Sequence, residues 1–439
     1  MINNGMIRLR PPVGKKISGT VRIPPSKSET NRALVIGAID EEPFSIFNYS
    51  ESADSRVVLQ FLRQIGIRYH FEEDRCIIIG SIADSTTDLT EVWLDKAGTA
   101  LRFLTPLCAF LNGDTILRGS EQLSRRPLHA LVESLRAVGV VIEYLETEGQ
   151  LPIKVYGNKT SRIEENSIKL DVSKTSQMLS GLMLIAPLLP DHTRLYFDAT
   201  KMVSKSYVEL TDHLLKGVGI SWRRNASCLE LIKKTFDRHE IYVNADWSSA
   251  SYWLALASTI PADIFLDNLI FETLQGDERQ VELFREFGLQ ITETDTGIHL
   301  LNLGSAKITP FDWDFGEMPD TAQTFAVLAT FAESQCRLFN LHTLVHKETN
   351  RLAALQKELS QLGAKIKATE DGLTIIPQPL QQKQPIQTYE DHRMALSFSV
   401  LVNQLPEVTI LNPEVVDKSY PNYWSDMASV GYQIEYLTT

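Results

Sequence analysis

One unit of roughly 70 residues is written six times along this chain, a period longer than those of the common solenoids. Each copy opens on a short strand-like run: "GTVRI" (19–23), "EVWLD" (91–95), "SIKLD" (167–171), "EIYVN" (240–244), "FDWDF" (311–315) and "QPIQT" (384–388). A polar cluster and an apolar helix of small residues follow, then a second strand such as "DTILR" or "CRLFN". A second helix ends in a glycine: Gly66, Gly139, Gly219, Gly288, Gly363 and Gly431. A helix leaves its last turn most easily through a residue with positive φ, so these glycines are read as C-terminal caps. After the first five come a strand, a turn ("EEDR", "TEGQ", "RNAS", "TDTG", "TEDG") and another strand.

The sixth copy stops at "YQIEYLTT", one strand short. The N-terminal "MIRLR" (6–10) is expected to supply it, which brings both chain ends into one domain. The predicted division is 1–20 as a strand segment joining the second domain, 21–238 as the first domain (repeats one to three) and 239–439 as the second (repeats four to six). Crossovers are expected at 14–22 and 235–240. A chain of 439 residues holds two cores of that size comfortably.

Function is sought where the copies differ, at the starts of helices. A helix N-terminus offers unpaired N–H groups and the positive end of a dipole. Lys27, Lys96, Arg126, Lys205, Lys347 and Lys418 are read as lying there, where each opposes the dipole by about 0.3–1 kcal/mol. Six such positions point to a shared anionic ligand. The surrounding chain is acidic, with 43 Lys+Arg against 55 Asp+Glu. That balance argues against nonspecific nucleic-acid or membrane-surface binding. The apolar run "MLSGLMLIAPLLP" (178–190) is too short to span a bilayer, and "MINNGMIRLRPP" has no signal-peptide core. Cys76, Cys108, Cys228 and Cys336 are scattered, as suits reduced thiols in the cytoplasm.

The rival motifs are weak. "SKS" (26–28) lacks S-x-x-K spacing, and there is no phosphate loop or dinucleotide fingerprint. "HKE" (346–348) and "DHR" (391–393) lack ligand spacing, so no metal is expected. Asp320 and Glu348 each open a helix of repeat five; they read either as plain caps or, among cations, as candidates for proton transfer.

"PPSKSETNR", "KAGTALR", "RRPLHAL", "TSQML", "MVSKSYVEL", "MPDTAQ", "HKETNRL", "YEDHRMA" and "DKSYPNYW" follow one another in an order and spacing that resemble the 5-enolpyruvylshikimate-3-phosphate synthases. The likeness covers essentially the whole chain. It implies an α/β (α+β) protein: a two-domain inside-out α/β barrel of six β-α-β-α-β-β units, three per domain, with helix N-termini facing a cleft that closes on substrate. The implied reaction moves the enolpyruvyl group of phosphoenolpyruvate to the 5-hydroxyl of shikimate 3-phosphate and releases phosphate, with no cofactor or metal. The implied partners are these two small molecules alone, with no nucleic acid or membrane; the family's habit is a monomer.

By position, the resemblance assigns catalysis to Asp320, Glu348 and Lys27. Asp320 deprotonates the 5-hydroxyl, and Glu348 protonates the methylene. Shikimate phosphate is assigned to Lys27, Ser28, Arg32, Thr175, Ser176, Gln177, Ser204, Asp320 and Lys347. Phosphoenolpyruvate is assigned to Lys27, Gly98, Arg126, Gln177, Arg351, Arg393 and Lys418. The chain departs from the family at Lys96 (usually Asn), Phe103 and Ser206 (usually Pro), Asn350 (usually Asp), and Thr343 and Val345 (usually Asn and Arg). Two other readings compete: enolpyruvyl transfer to a UDP-amino sugar (UDP-N-acetylglucosamine) on the same fold, and a non-catalytic anion-binding relic. The first usually has Lys-Asn where Lys27-Ser28 stands and a cysteine in the loop that reads "SEQLSRRP" here (120–127).

Overall fold

The computed structural model describes residues 5–85, 88–161, 163 and 165–437. It divides into two compact units, one of Pro25–Val243 and one joining the chain up to Pro24 with the chain from Asn244 onward.

In the first unit the helices Lys27–Ile39, Gly98–Cys108 and Gln177–Leu184 pack on one another. They are buried around almost their whole circumference, Lys27–Ile39 with Glu29, Asn31 and Arg32 among its enclosed residues. Every residue of Gly98–Cys108 is buried. Three four-stranded sheets surround them. One runs Leu89–Trp93, Asp114–Arg118, Ile153–Val155, Ile142–Tyr144, parallel at the first pairing and antiparallel at the others. The strands alternate as one-sided sheets must: Thr115 and Leu117 point inward while Asp114, Ile116 and Arg118 are half exposed.

The second unit repeats the plan with central helices Trp247–Thr259, Ala322–Leu328 and His392–Ser399. Among the described residues the six sheets remain separate, so helices lie inside and sheets outside without a closed barrel. All six cap glycines have φ between +86° and +115°.

The strand Met6–Arg10 lies between Val408–Leu411 and Gln433–Leu437, antiparallel to both, with Ile7 and Leu9 fully buried. It fills the place the last strand of a copy takes in the other sheets. The opening run "QPIQT" forms no strand; a single parallel bridge joins Ile386 to Ile410.

The chain crosses between units later than the sequence suggests. Ile17–Arg22 pairs in parallel with Ala262–Asp267, in the sheet of repeat four. Glu240–Tyr242 pairs in parallel with Phe44–Phe47, in the sheet of repeat one. Repeats one and four therefore exchange opening strands, and the crossings fall after Pro24 and after Val243. "GTVRI" and "EIYVN" have similar alternation, so local pattern cannot say which parallel partner either will take.

Candidate active site

Repeats five and six bring their charged residues into one buried cluster. Asp320 precedes the Ala322–Leu328 helix; its Oδ1 takes Arg351 Nη1 at 2.9 Å and Lys347 Nζ at 3.2 Å, and its Oδ2 lies 3.1 Å from Arg393 Nη2. Arg351 opens the Arg351–Leu362 helix and spreads over three carboxylates. Beyond Asp320, its Nε meets Asp391 Oδ2 at 2.8 Å and its Nη2 meets Glu348 Oε2 at 2.8 Å. Glu348 Oε1 is 2.9 Å from Lys418 Nζ. Arg393 donates through Nη1 to Tyr252 Oη at 3.2 Å.

Burial alone would push the Asp320 carboxyl up, but Arg393, Lys347 and Arg351 outweigh it and hold it well below the ordinary range. Burial opposes the charge on Arg351, yet Asp391, Glu348 and Asp320 keep it firmly protonated. Arg393 is held protonated in the same way, mainly by Asp320.

The first unit carries its own set. Lys27 is the first residue of its helix, and its Nζ lies 3.4 Å from Asp54 Oδ2. Arg126 packs its guanidinium on Gly98, where a side chain would overlap it. Gln177 accepts from Arg102 Nη1 at 2.9 Å and donates to Thr99 Oγ1 at 3.3 Å, and its N–H donates to Thr175 Oγ1 at 3.2 Å. Ser176 Oγ donates to the Ser204 carbonyl at 3.2 Å. Arg32 is wholly enclosed. It donates to Thr211 Oγ1 (2.7 Å), to the Ser28 carbonyl (2.7 Å) and to the Tyr207 carbonyl (3.2 Å), with the Phe103 ring 5.1 Å from its guanidinium carbon. Burial lowers its pKa to about 10, against the opposing pull of Tyr207 and Glu29.

The expectation of six cations at helix N-termini needs correction. Lys27 and Lys205 do begin helices, and Glu209 answers Lys205 one turn on, at 3.5 Å. Lys418 instead closes the 3-10 turn Pro413–Lys418, Lys347 follows the turn His342–His346, Arg126 follows the short helix Glu121–Ser124, and Lys96 stands before Ala97, the cap of its helix. Arg351 and Arg393 hold helix-opening positions that the dipole argument did not name. Nor are Asp320 and Glu348 caps: Thr321 and Asn350 occupy those places, and the Asn350 side chain accepts from Ala353 N.

Asp54 and Tyr252 carried no signal in the sequence, because their importance comes from the partner that folding sets beside them; Arg102 stands in the motif "KAGTALR" but was assigned no role. The departures at 343 and 345 fall on the 3-10 turn His342–His346, with Thr343 buried and Val345 against the core. Among the described residues one group has metal-ligand proximity, the exposed His129, Glu133 and Glu148. Both of its carboxylates already share Arg136 Nη1, at 2.9 and 3.1 Å.

This architecture is shared with solved enolpyruvyl transferases. The chain matches EPSP synthase from Acinetobacter baumannii with a TM-score of 0.79 at 21% identity, covering 99% of this chain and 100% of that one. It matches the enolpyruvyl transferase NikO from Streptomyces tendae at 0.76 and 15% identity, over the full length of both. Those likenesses show the fold. The pattern of the EPSP synthase (3-phosphoshikimate 1-carboxyvinyltransferase) family then matches residues 12–427. A 3-phosphoshikimate 1-carboxyvinyltransferase of Sulfurovum sp. (strain NBC37-1) is 35% identical over 94% of this chain and 97% of the relative; one from Bacteroides fragilis (strain YCH46) is 33% identical over 96% and 97%. The chain belongs to the EPSP synthase family.

Proposed function

We propose that the protein transfers the enolpyruvyl group of phosphoenolpyruvate to the 5-hydroxyl of shikimate 3-phosphate and releases phosphate, a step of the shikimate pathway to aromatic amino acids. Family membership along nearly the whole chain supports this. The observation that carries the chemistry is that Asp320 and Glu348 are bound to the same buried Arg351, with Lys347, Arg393 and Lys418 beside them.

Asp320 is the base for the 5-hydroxyl on this reading. While three cations hold it, it is a weak one. Substrate phosphate and carboxylate compete for Lys347, Arg351 and Arg393, so binding itself returns basicity to Asp320. Glu348, between Arg351 and Lys418, protonates the methylene carbon of phosphoenolpyruvate as the hydroxyl oxygen attacks its neighbour. Loss of a proton from the resulting methyl group then restores the double bond as phosphate departs. Lys418, Arg351, Arg393, Arg126, Gly98 and Lys27 are assigned to phosphoenolpyruvate; Lys347, Thr175, Ser176, Ser204 and Ser28 to shikimate 3-phosphate, with Gln177 and Lys27 touching both. For Arg32 the hydrogen bonds favour a supporting role, since it grips the Ser28 carbonyl from inside.

We further infer a cytoplasmic monomer, a setting that suits four free thiols, three of them buried. No described helix is long and apolar enough to cross a membrane.

The test is direct. Purified protein given both substrates should release phosphate, and Asp320→Ala or Glu348→Ala should lower kcat far more than affinity. Release only with UDP-N-acetylglucosamine as acceptor would favour the amino-sugar reading, and binding without turnover would favour the relic.

A further inference from the structure

Asp277 lies in the 3-10 turn Gly276–Arg279, 3% exposed, and no arginine or lysine among the described residues forms a salt bridge with it. That turn is stitched to the start of the Trp247–Thr259 helix. Gln275 Oε1 accepts from Trp247 N at 2.9 Å, Gln275 Nε2 donates to the Ala245 carbonyl at 2.8 Å, and Gln280 Nε2 donates to the Trp247 carbonyl at 2.7 Å. Among the described residues the carboxyl's one hydrogen-bond partner is Ser248 Oγ, which donates to Oδ2; Oδ1 is buried without a hydrogen bond. Ser248 and Tyr252 are four apart on that helix and so share a face. Tyr252 Oη in turn holds Arg393, whose Nε is likewise buried with no acceptor.

We propose that Asp277 is a positioning residue for the Arg393–Asp320 pair, and that it takes up a proton when an anionic substrate group engages Arg393. The proposal rests on the reading above that Arg393 holds phosphoenolpyruvate. The charged groups that act most on Asp277 from the elements around it are Asp320, Arg393 and Asp246. Asp320 and Asp246 favour the protonated acid, as burial does most strongly; Arg393 is the charge that most favours the ion. The balance already raises its pKa to about 7. An anion on Arg393 cancels the main cationic pull in that balance, so the bound complex holds a proton that the free protein has partly lost. Asp277 thereby sheds its charge as the ligand arrives, and Arg393 faces one fewer rival for its attraction.

A complex that holds the extra proton must weaken as pH rises. The KM for phosphoenolpyruvate, at saturating shikimate 3-phosphate, should climb above about pH 7, approaching about tenfold per pH unit at its steepest. Asp277→Asn is neutral at every pH and should flatten that climb by at least half, while the titration of the substrate's own phosphate stays the same in both proteins. Ser248→Ala removes the hydrogen bond that favours the ion, so its inflection should move to higher pH. Calorimetry of phosphoenolpyruvate binding, in two pH 7 buffers of different ionisation enthalpy, should register proton uptake in the unaltered protein and little in Asp277→Asn. Equal KM profiles and equal uptake in the two proteins would overturn the proposal while leaving the activity intact. If Asp277→Asn does not fold, an unmoved inflection in Ser248→Ala overturns it instead. Failure of the unaltered protein to release phosphate would strike the functional reading first and is distinguishable from either result.

Discussion

Arg351 Nη1 lies 2.9 Å from Asp320 Oδ1 in a setting where the arginine is 1% exposed. The same guanidinium also carries Glu348 and Asp391, so one side chain neutralises carboxylates from three separate segments. Removing that guanidinium takes from buried Asp391 its arginine and from Asp320 and Glu348 one cation each, at a cost of about 3–5 kcal/mol. Arg351→Gln should therefore lower the urea midpoint markedly, as well as abolish turnover. Arg351→Lys should restore little, because a single ammonium cannot reproduce a planar fork that reaches three partners. A midpoint within error of the parent in either variant would show that the network is dispensable.

Gly98 is constrained by proximity rather than by φ. A methyl group there would overlap the Arg126 guanidinium, which must then move. Arg126 is assigned to phosphoenolpyruvate, so Gly98→Ala should raise the KM for that substrate by about tenfold, equivalent to about 1.4 kcal/mol. The KM for shikimate 3-phosphate should change much less. Equal effects on both substrates would place the disturbance elsewhere.

Deleting residues 1–10 removes a strand with a neighbour on each side and two fully buried apolar residues, Ile7 and Leu9, each worth about 1.5–3 kcal/mol on burial. Hydrogen exchange should accelerate at 408–411 and 433–437 but not at 114–118, in the other unit. Uniform protection would contradict this.

That strand also shows what was legible in advance. A missing last strand and six glycines at helix ends are local signs, and the structure has a strand in the one place and positive φ at all six of the others. The exchange of opening strands between repeats one and four was not legible, since either partner satisfies the same alternation. The same division runs through the site. Asp320, Glu348, Arg351, Arg393 and Lys418 stand in recognisable motifs, whereas Asp54 and Tyr252 acquire meaning only from Lys27 and Arg393 beside them. For Asp277, nothing local reveals that its surroundings favour a proton.

Asn350, read from the resemblance as replacing an Asp, caps the Arg351–Leu362 helix by accepting from Ala353 N. Asn and Asp cap about equally well, while Ala forfeits about 1 kcal/mol. Asn350→Asp should thus leave the thermal midpoint nearly unchanged and Asn350→Ala should lower it, with kcat preserved in the first. A large loss of activity in Asn350→Asp would mean that the added charge disturbs Arg351, its immediate neighbour in the chain.

Asp277 makes a prediction about stability with the opposite sign to most acids. Its folded pKa is raised to about 7, by burial first and by Asp320 second, whereas an unfolded aspartate titrates near about 3.9. Below the unfolded value both states hold the proton, and the group has no effect. Between about pH 4 and pH 7 the unfolded chain has released a proton that the native protein retains, so stability falls as pH rises across that window. Above it the penalty is constant and is at most a few kcal/mol. Asp277→Asn escapes the penalty. Its melting temperature should match the parent near pH 4, exceed it by a growing margin up to pH 7, and keep that margin at pH 8. A variant less stable than the parent at pH 8 would show that the native protein needs the carboxylate there as an ion.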